Sequence, residues 1–304
     1  MGFLESFGKF IVDTFKKMLA EGSESCLNKS LELLSDGLKA SNSNNGVMDQ
    51  LLTTSPVNFT AGGTNSIWGT IQTVCEEAVV PIAGIILVIV LVNDLIQMVI
   101  SGNNFRDFDT SIFFKWIIKS VCGIVLISNV FYISSGIFAL GTKVTNDALS
   151  VDAMQISDIV TNGIHISISQ YGIGELFGTL VLSFLVMITM FITIAVIVVV
   201  LCSRMIETFM YLGASPLPMA TFMNPEWKQM GHNWLRGMIA LAFQGLFIVV
   251  ALAIFSTLFK NAIISLNNGK DILLQMAFLL GYALALIFTI LRSGQISKSI
   301  FGAH

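Results

Sequence analysis

Charge is what this 304-residue chain has least of: 16 basic and 19 acidic residues make up 12% of it, against about a quarter in ordinary soluble proteins. Twelve of those charges lie in the first 49 residues, leaving 23 for the remaining 255 positions, too few to coat a water-facing surface. A soluble globule is therefore excluded. So is a disordered chain, because 54% hydrophobic content and a mean hydropathy of +0.80 are the reverse of the low-hydrophobicity, high-charge signature of disorder. The net charge of −3 provides no basic footprint for nucleic acid, so any contact with DNA needs a local or assembled surface. Histidine is confined to His165, His232 and His304, and the cysteines Cys26, Cys75, Cys122 and Cys202 are far apart with no C-x-x-C. No metal-ligand spacing arises between sequence neighbours, no cofactor is expected, and the thiols read as packing residues. The phosphate loop G-x-x-x-x-G-K-[ST], H-E-x-x-H, G-x-S-x-G and an intramembrane aspartate pair are all missing, which argues against an enzyme.

What is present is a series of long uncharged runs. A spanning helix must satisfy its own backbone and keep ionised groups out of about 30 Å of hydrocarbon, so each such run predicts a membrane helix. Five emerge: residues 78–100, interrupted only by Asp94; 120–142; 176–203; 237–259; and 272–291. The expected fold is all-α, a polytopic helical membrane protein with about five transmembrane helices and an N-terminal amphipathic helical segment. The third run, at about 42 Å for 1.5 Å rise per residue, must tilt or protrude. Gly174/Gly178 and Gly281/Ala285 are small pairs at the spacing that lets helices approach closely.

Basic residues in short connections set the expected orientation. Arg106, Lys115, Lys119, Arg204, Lys228, Arg236, Arg292 and Lys298 fall on one side; Lys143, Lys260 and Lys270 fall on the other, where Asp147, Asp152, Asp158 and Glu175 make the second loop acidic. This predicts a multi-pass protein of the cytoplasmic membrane with its N-terminus outside and its C-terminus in the cytoplasm. Residues 1–65 form the extracytoplasmic amphipathic segment, and residues 66–304 the five-helix domain with a cytoplasmic loop at 204–236.

In the N-terminal segment, Phe3, Phe7, Phe10, Ile11, Phe15, Met18 and Leu19 recur at helical spacing between Glu5, Lys9, Asp13, Lys16 and Lys17. No continuous apolar run or small-residue cleavage site makes it a signal peptide. Such a helix either packs on its own protein, or lies in the headgroup plane or against a partner subunit. A second polar helix is expected over residues 24–39, followed by a Ser/Asn linker at 41–46.

Asn93, Asp94 and Gln97 fall within the first span, with Asn93 and Gln97 on one face. A carboxylate in hydrocarbon is expensive, so Asp94 faces a bundle interior, a pore or a subunit contact; if the helix ends early, it is solvated at the interface instead. Pro81 starts or kinks this helix. His165 reads as a surface or packing residue.

The third loop carries the densest signals. Helical character persists from Arg204 to Gly213. Ser215-Pro216-Leu217-Pro218 then reads as a stop, and Asn224-Pro225-Glu226-Trp227 as an N-cap, a proline at N1 and a first-turn acid. Trp227 and Trp234 mark an interfacial belt and Arg236 an anchor. So apolar a loop is expected to dip into the bilayer edge or to be covered by another chain. It is a candidate contact at the cytoplasmic mouth or with an ATPase, or simply a turn between helices.

The Ser-Pro-Leu-Pro loop, the helix running through Trp234-Leu-Arg236 into Ala-Leu-Ala-Phe-Gln244-Gly-Leu-Phe, and the five-span layout resemble the polytopic inner-membrane component of conjugative type IV secretion systems, the TrbL-like family, in the compact form found in Gram-positive mobile elements. The specific part of the resemblance covers about residues 176–292. It implies a non-enzymatic channel or scaffold subunit, present as a ring of copies in the lipid, that supports export of relaxase-bound single-stranded DNA and proteins. Its partners would be other copies of itself, the secretion ATPases and a bitopic scaffold subunit. The alternative is a secondary transporter or a stand-alone channel for a small solute, although five spans do not divide into two equal repeats.

Overall fold

The computed structural model describes residues 2–38, 51–59, 67–101, 110–150, 164, 171–267 and 271–303. The expected linker at 41–46, His165, Arg106, Asp152, Asp158 and Lys270 lie outside these residues. Every regular element among them is helical: α1 (Gly2–Leu38), a 3-10 turn Pro56–Asn58, α2 (Ile67–Val74), a π-helical stretch Cys75–Val79, α3 (Val80–Ser101), α4 (Thr110–Ser150), α5 (Ile173–Ala214), a short α6 (Pro216–Ala220), a 3-10 turn Thr221–Met223, α7 (Lys228–Asn267) and α8 (Ile272–Ile300). Among the described residues, five helices are long and apolar enough to cross a membrane: Ile67–Ile100, Phe113–Ser150, Ile173–Ala214, Lys228–Asn267 and Ile272–Ile300. The protein is an all-α, multi-pass membrane protein.

The five runs predicted from the sequence are all there, but their helices are longer than the uncharged windows. Charges do not end the spans: Lys115, Lys119, Lys143, Arg204 and Lys260 all lie inside helices. Lys119 meets Asp94 of α3 and Arg204 meets carbonyls of α7, and a helix does not break at a charge that finds an acceptor. Pro81 falls in the second position of α3. Without an amide hydrogen it cannot bond the carbonyl four residues back, and the turn before it widens to the π form, with Val80 N–H donating to the Cys75 carbonyl.

Two compact units divide the chain. The first comprises residues 1–48, 147–201 and 248–293; the second comprises 49–146, 202–247 and 294–304. In the first unit, Leu19, Ala20, Leu27 and Leu31 of α1 are buried. Gly22 lies so close to Leu180 of α5 that an added Cβ would come within 2.7 Å of its Cδ1. Buried Ser23 and Ser30 donate to the Leu19 and Cys26 carbonyls of their own helix, so their hydroxyls are satisfied in this contact. Of the glycines in the small pairs singled out in the sequence, Gly174 and Gly281 face open space, and Gly178 meets Leu273 of α8.

In the second unit the apolar core joins Ala83, Leu87 and Leu91 of α3 to Ile127 of α4 and Ala220 of α6, with Trp116, Leu217 and Met223 packed around them. Gly141 of α4 lies directly on the backbone of α7, where a side chain would collide with the Ala242 carbonyl. The spans of each unit expose large apolar residues, Ile85, Ile89, Ile96, Ile118 and Val125 in the second and Phe184, Phe191, Val199 and Phe288 in the first, as required of surfaces in contact with lipid or other helices.

Candidate functional site

Two polar centres in the second unit combine buried charge with side-chain bonds to helix carbonyls. The first is built on α3. Asp94 is 3% exposed, and its Oδ2 accepts from Lys119 Nζ of α4 at 2.6 Å. One helical turn earlier, Trp116 donates its indole N–H to the Leu91 carbonyl at 3.0 Å, and Asn224 Nδ2 lies 3.5 Å from the Val90 carbonyl. Thus α4 contributes the ammonium and the indole, the segment after α6 contributes the amide, and α3 presents a carboxylate and two carbonyls. Asp94 is accordingly buried and paired within the chain, not solvated. It is neutralised by a lysine that stands within a helix, where the charge pattern of the sequence predicts a loop. Asn93 and Gln97 are half-buried and stay outside this pair.

The same contacts give the segment 204–236 a different form from the loop expected there. Pro216 and Pro218 do not simply stop a helix; they occupy the first turn of α6, where a missing N–H costs nothing because it would have no intrahelical acceptor. Ser215 is fully buried and donates its hydroxyl to the Leu212 carbonyl. Pro216, Met219, Ala220, Thr221 and Asn224 are buried as well. This stretch is therefore covered by its own chain, through α3, and needs neither a second chain nor the bilayer edge to cover it. Asn224 does cap: its Oδ1 accepts from Glu226 N–H at 2.8 Å, and its carbonyl from Lys228 N–H at 2.9 Å. Beyond it, residues 225–230 are all exposed, with Trp227 at 44% and Met230 at 62%. Trp234 is half-buried, stacked on Tyr211 with ring centroids 6.1 Å apart, and Arg236 is exposed.

Arg204 is the centre that sequence reasoning misses. Its charge predicts a loop cation, yet it lies in the continuous helix α5, ten residues before its end, and is 5% exposed. Its Nε donates to the Leu241 carbonyl at 3.3 Å and its Nη2 to the Ala242 carbonyl at 3.2 Å. The side chain is seated against Gly245, with the Thr145 hydroxyl beside it. Ser297 of α8 donates to the adjoining Ala240 carbonyl. Three successive carbonyls of α7 thus take side-chain donors from α5 and α8, while α4 crosses the same stretch at Gly141. A carbonyl has two lone pairs, so each can serve its own helix and a second donor. No carboxylate among the described residues pairs with Arg204. The signal available for it is the apolar helical spacing of Met205, Ile206, Phe209 and Met210, which continues the span straight through the charge.

Beside the start of the first span an apolar groove of about 670 Å³ is lined by Phe59, Ile71, Val74, Met205, Phe209 and Leu217, among others. Phe59 and Phe209, both in its lining, are in tilted ring contact with centroids 6.1 Å apart. Among the described residues, no group of three or more His, Cys, Asp or Glu could hold a metal ion.

Comparison with known proteins gives one family. Residues 42–216, more than half of the chain, match the family described as TrbL/VirB6 plasmid conjugal transfer like protein. No curated protein and no solved structure matches. The matched stretch contains Asp94, Lys119 and Arg204. It stops at Pro216, short of the tryptophan-bearing helix that carries much of the resemblance in the sequence.

Proposed function

This chain belongs to the TrbL/VirB6 plasmid conjugal transfer like family, and on that premise we propose that it is a non-enzymatic channel or scaffold subunit of a conjugative type IV secretion system of the Gram-positive mobile-element type. It resides in the cell membrane with its N-terminus outside and C-terminus in the cytoplasm, and it supports export of relaxase-bound single-stranded DNA and proteins. The observation that carries this reading is the family match across residues 42–216.

Two features bear on assembly. The spans keep large apolar faces exposed, surface that is available to lipid or to other copies alike. The exposed segment 225–230, led by Trp227, suits contact with a secretion ATPase or the bitopic scaffold subunit, since exposed aromatic side chains are the commonest anchors of such interfaces. Within this reading Asp94–Lys119 ties α3 to α4, and Arg204 couples α5 to α7, so that a load on the segment after α6 is transmitted to the spans.

The reading requires several copies to work together. Purified in mild detergent, the protein is expected to run as a discrete homo-oligomer, with its copy number visible by electron microscopy and mass photometry. A strict monomer that binds and moves a small solute would replace this reading with that of a transporter.

A further inference from the structure

Residues 6–15 of α1 are exposed around the whole circumference of the helix. Phe7, Phe10, Ile11, Phe15 and Met18 are between 47% and 66% exposed. These five recur at helical spacing and form one stripe. The buried stripe of the second half runs through Leu19, Ala20, Ser23, Leu27, Ser30 and Leu31. At 100° per residue its backward extension passes through Lys9, Asp13 and Lys16, so the aromatic stripe points about half a turn away from the side on which the helix is seated. The aromatic face is therefore turned away from that seat and serves another surface.

The seat of α1 lies near a membrane boundary. Gly22 touches Leu180, and Asn28 Oδ1 accepts from Ile164 N–H at 3.0 Å. Glu175 and Asp271, both exposed, stand at the starts of α5 and α8, which meet where Gly178 contacts Leu273. Exposed apolar residues flank them, at Ile173, Phe177, Val181 and Leu274. Leu180 is only five residues, about 7.5 Å, past Glu175.

Only one course of the helix suits both of its faces. Running into the bilayer would carry Lys9, Asp13, Lys16 and Lys17 into hydrocarbon, and running into water would leave the phenylalanines in it. Lying along the surface puts each face in its own medium. Of the three lysines in residues 6–18, Lys17 pairs with Glu21 at 3.7 Å, which leaves Lys9 and Lys16 for anionic headgroups.

We propose that the N-terminal half of α1 is a lipid-binding element that lies in the headgroup plane, with Phe7, Phe10, Ile11, Phe15 and Met18 in the acyl chains and Lys9 and Lys16 on anionic headgroups. This does not depend on the secretion role. The test uses the full chain in nanodiscs of phosphatidylglycerol and phosphatidylcholine, with the photoreactive amino acid p-benzoylphenylalanine placed singly at Phe10, Phe15, Lys9 or Asp13. These side chains are exposed, so the substitutions leave the packed half of the helix intact. Irradiation should give lipid adducts at Phe10 and Phe15 in severalfold higher yield than at Lys9 and Asp13, and the yield should fall when phosphatidylglycerol is omitted. Cross-linked dimers from the phenylalanine positions would overturn the proposal in favour of a second copy as the occupant. Equal yields on the two faces, no adduct at any position, or a yield indifferent to phosphatidylglycerol would also overturn it.

Discussion

Lys119→Met is expected to destabilise the protein more than Asp94→Asn, although both break the same ion pair. Asp94 is 3% exposed, so removing the lysine leaves a carboxylate enclosed between α3 and α4 without a counter-charge, a change that costs about 3–5 kcal/mol when one partner of a buried pair is deleted. The Lys119 side chain is 26% exposed. With Asp94 neutralised it can extend its ammonium to water or headgroups, as long basic side chains do, and the loss should be nearer ~1 kcal/mol. The double variant Asp94→Leu/Lys119→Met leaves no charge to compensate and should recover most of the stability. Thermal melting of the three proteins in one detergent gives the order directly: Lys119→Met lowest, Asp94→Asn next, the double variant close to the parent. Equal losses for the two single variants would mean that the pair is solvated and does not tie α3 to α4.

Arg204→Met should have the opposite profile, with stability kept and function lost. A buried guanidinium is costly to hold in a membrane helix. Here its bonds are to carbonyls of α7 that retain their own helical donors, so removing it strands no acceptor. Met fills much of the same volume without the charge. This variant is expected to accumulate and melt at least as well as the parent, while DNA transfer falls on the order of tenfold, the change produced by about 1.4 kcal/mol of lost interaction free energy. Arg204→Lys distinguishes charge from geometry, because one ammonium does not reproduce the planar fork that reaches two carbonyls. Transfer restored by Lys would assign the role to charge alone; transfer still impaired assigns it to the bridge. Undiminished transfer in Arg204→Met would remove Arg204 from the working parts of the protein.

Which features are legible in the sequence depends on whether their signal is local. The five spans are, because about 20 uncharged apolar residues in a row are difficult to accommodate anywhere but across a bilayer. Their ends are not. Lys119 is accepted inside α4 only because Asp94, 25 residues earlier, is opposite it, and Arg204 inside α5 only because α7 offers carbonyls 37 and 38 residues later. Neither pairing leaves a mark in a window of sequence, so both cations read as loop residues. Pro216 and Pro218 do mark the end of α5, but the same prolines are tolerated in a first turn, and that tolerance makes α6. The Asn224 cap is legible because it is built from neighbours.

In α1 the exposed aromatic stripe is plain at the sequence level, but its relation to the rest of the helix is not. The seated stripe includes Ala20, Ser23 and Ser30, small residues that pack closely while contributing little hydrophobicity, so the second half reads as merely polar. Only the structure places the two stripes on opposite sides. Asn93, Asp94 and Gln97 show the same limit. All three are polar residues of one turn and a half, yet packing selects Asp94 alone for burial and pairing.

That this chain works as a subunit of a conjugative secretion apparatus is tested most directly by an in-frame deletion of its coding sequence from the mobile element that carries it, with DNA transfer to recipient cells counted before and after the chain is supplied in trans. Transfer should fall to the level of a strain without the secretion ATPase and return with the parent chain. Transfer that continues undiminished in the deletion strain would contradict that role.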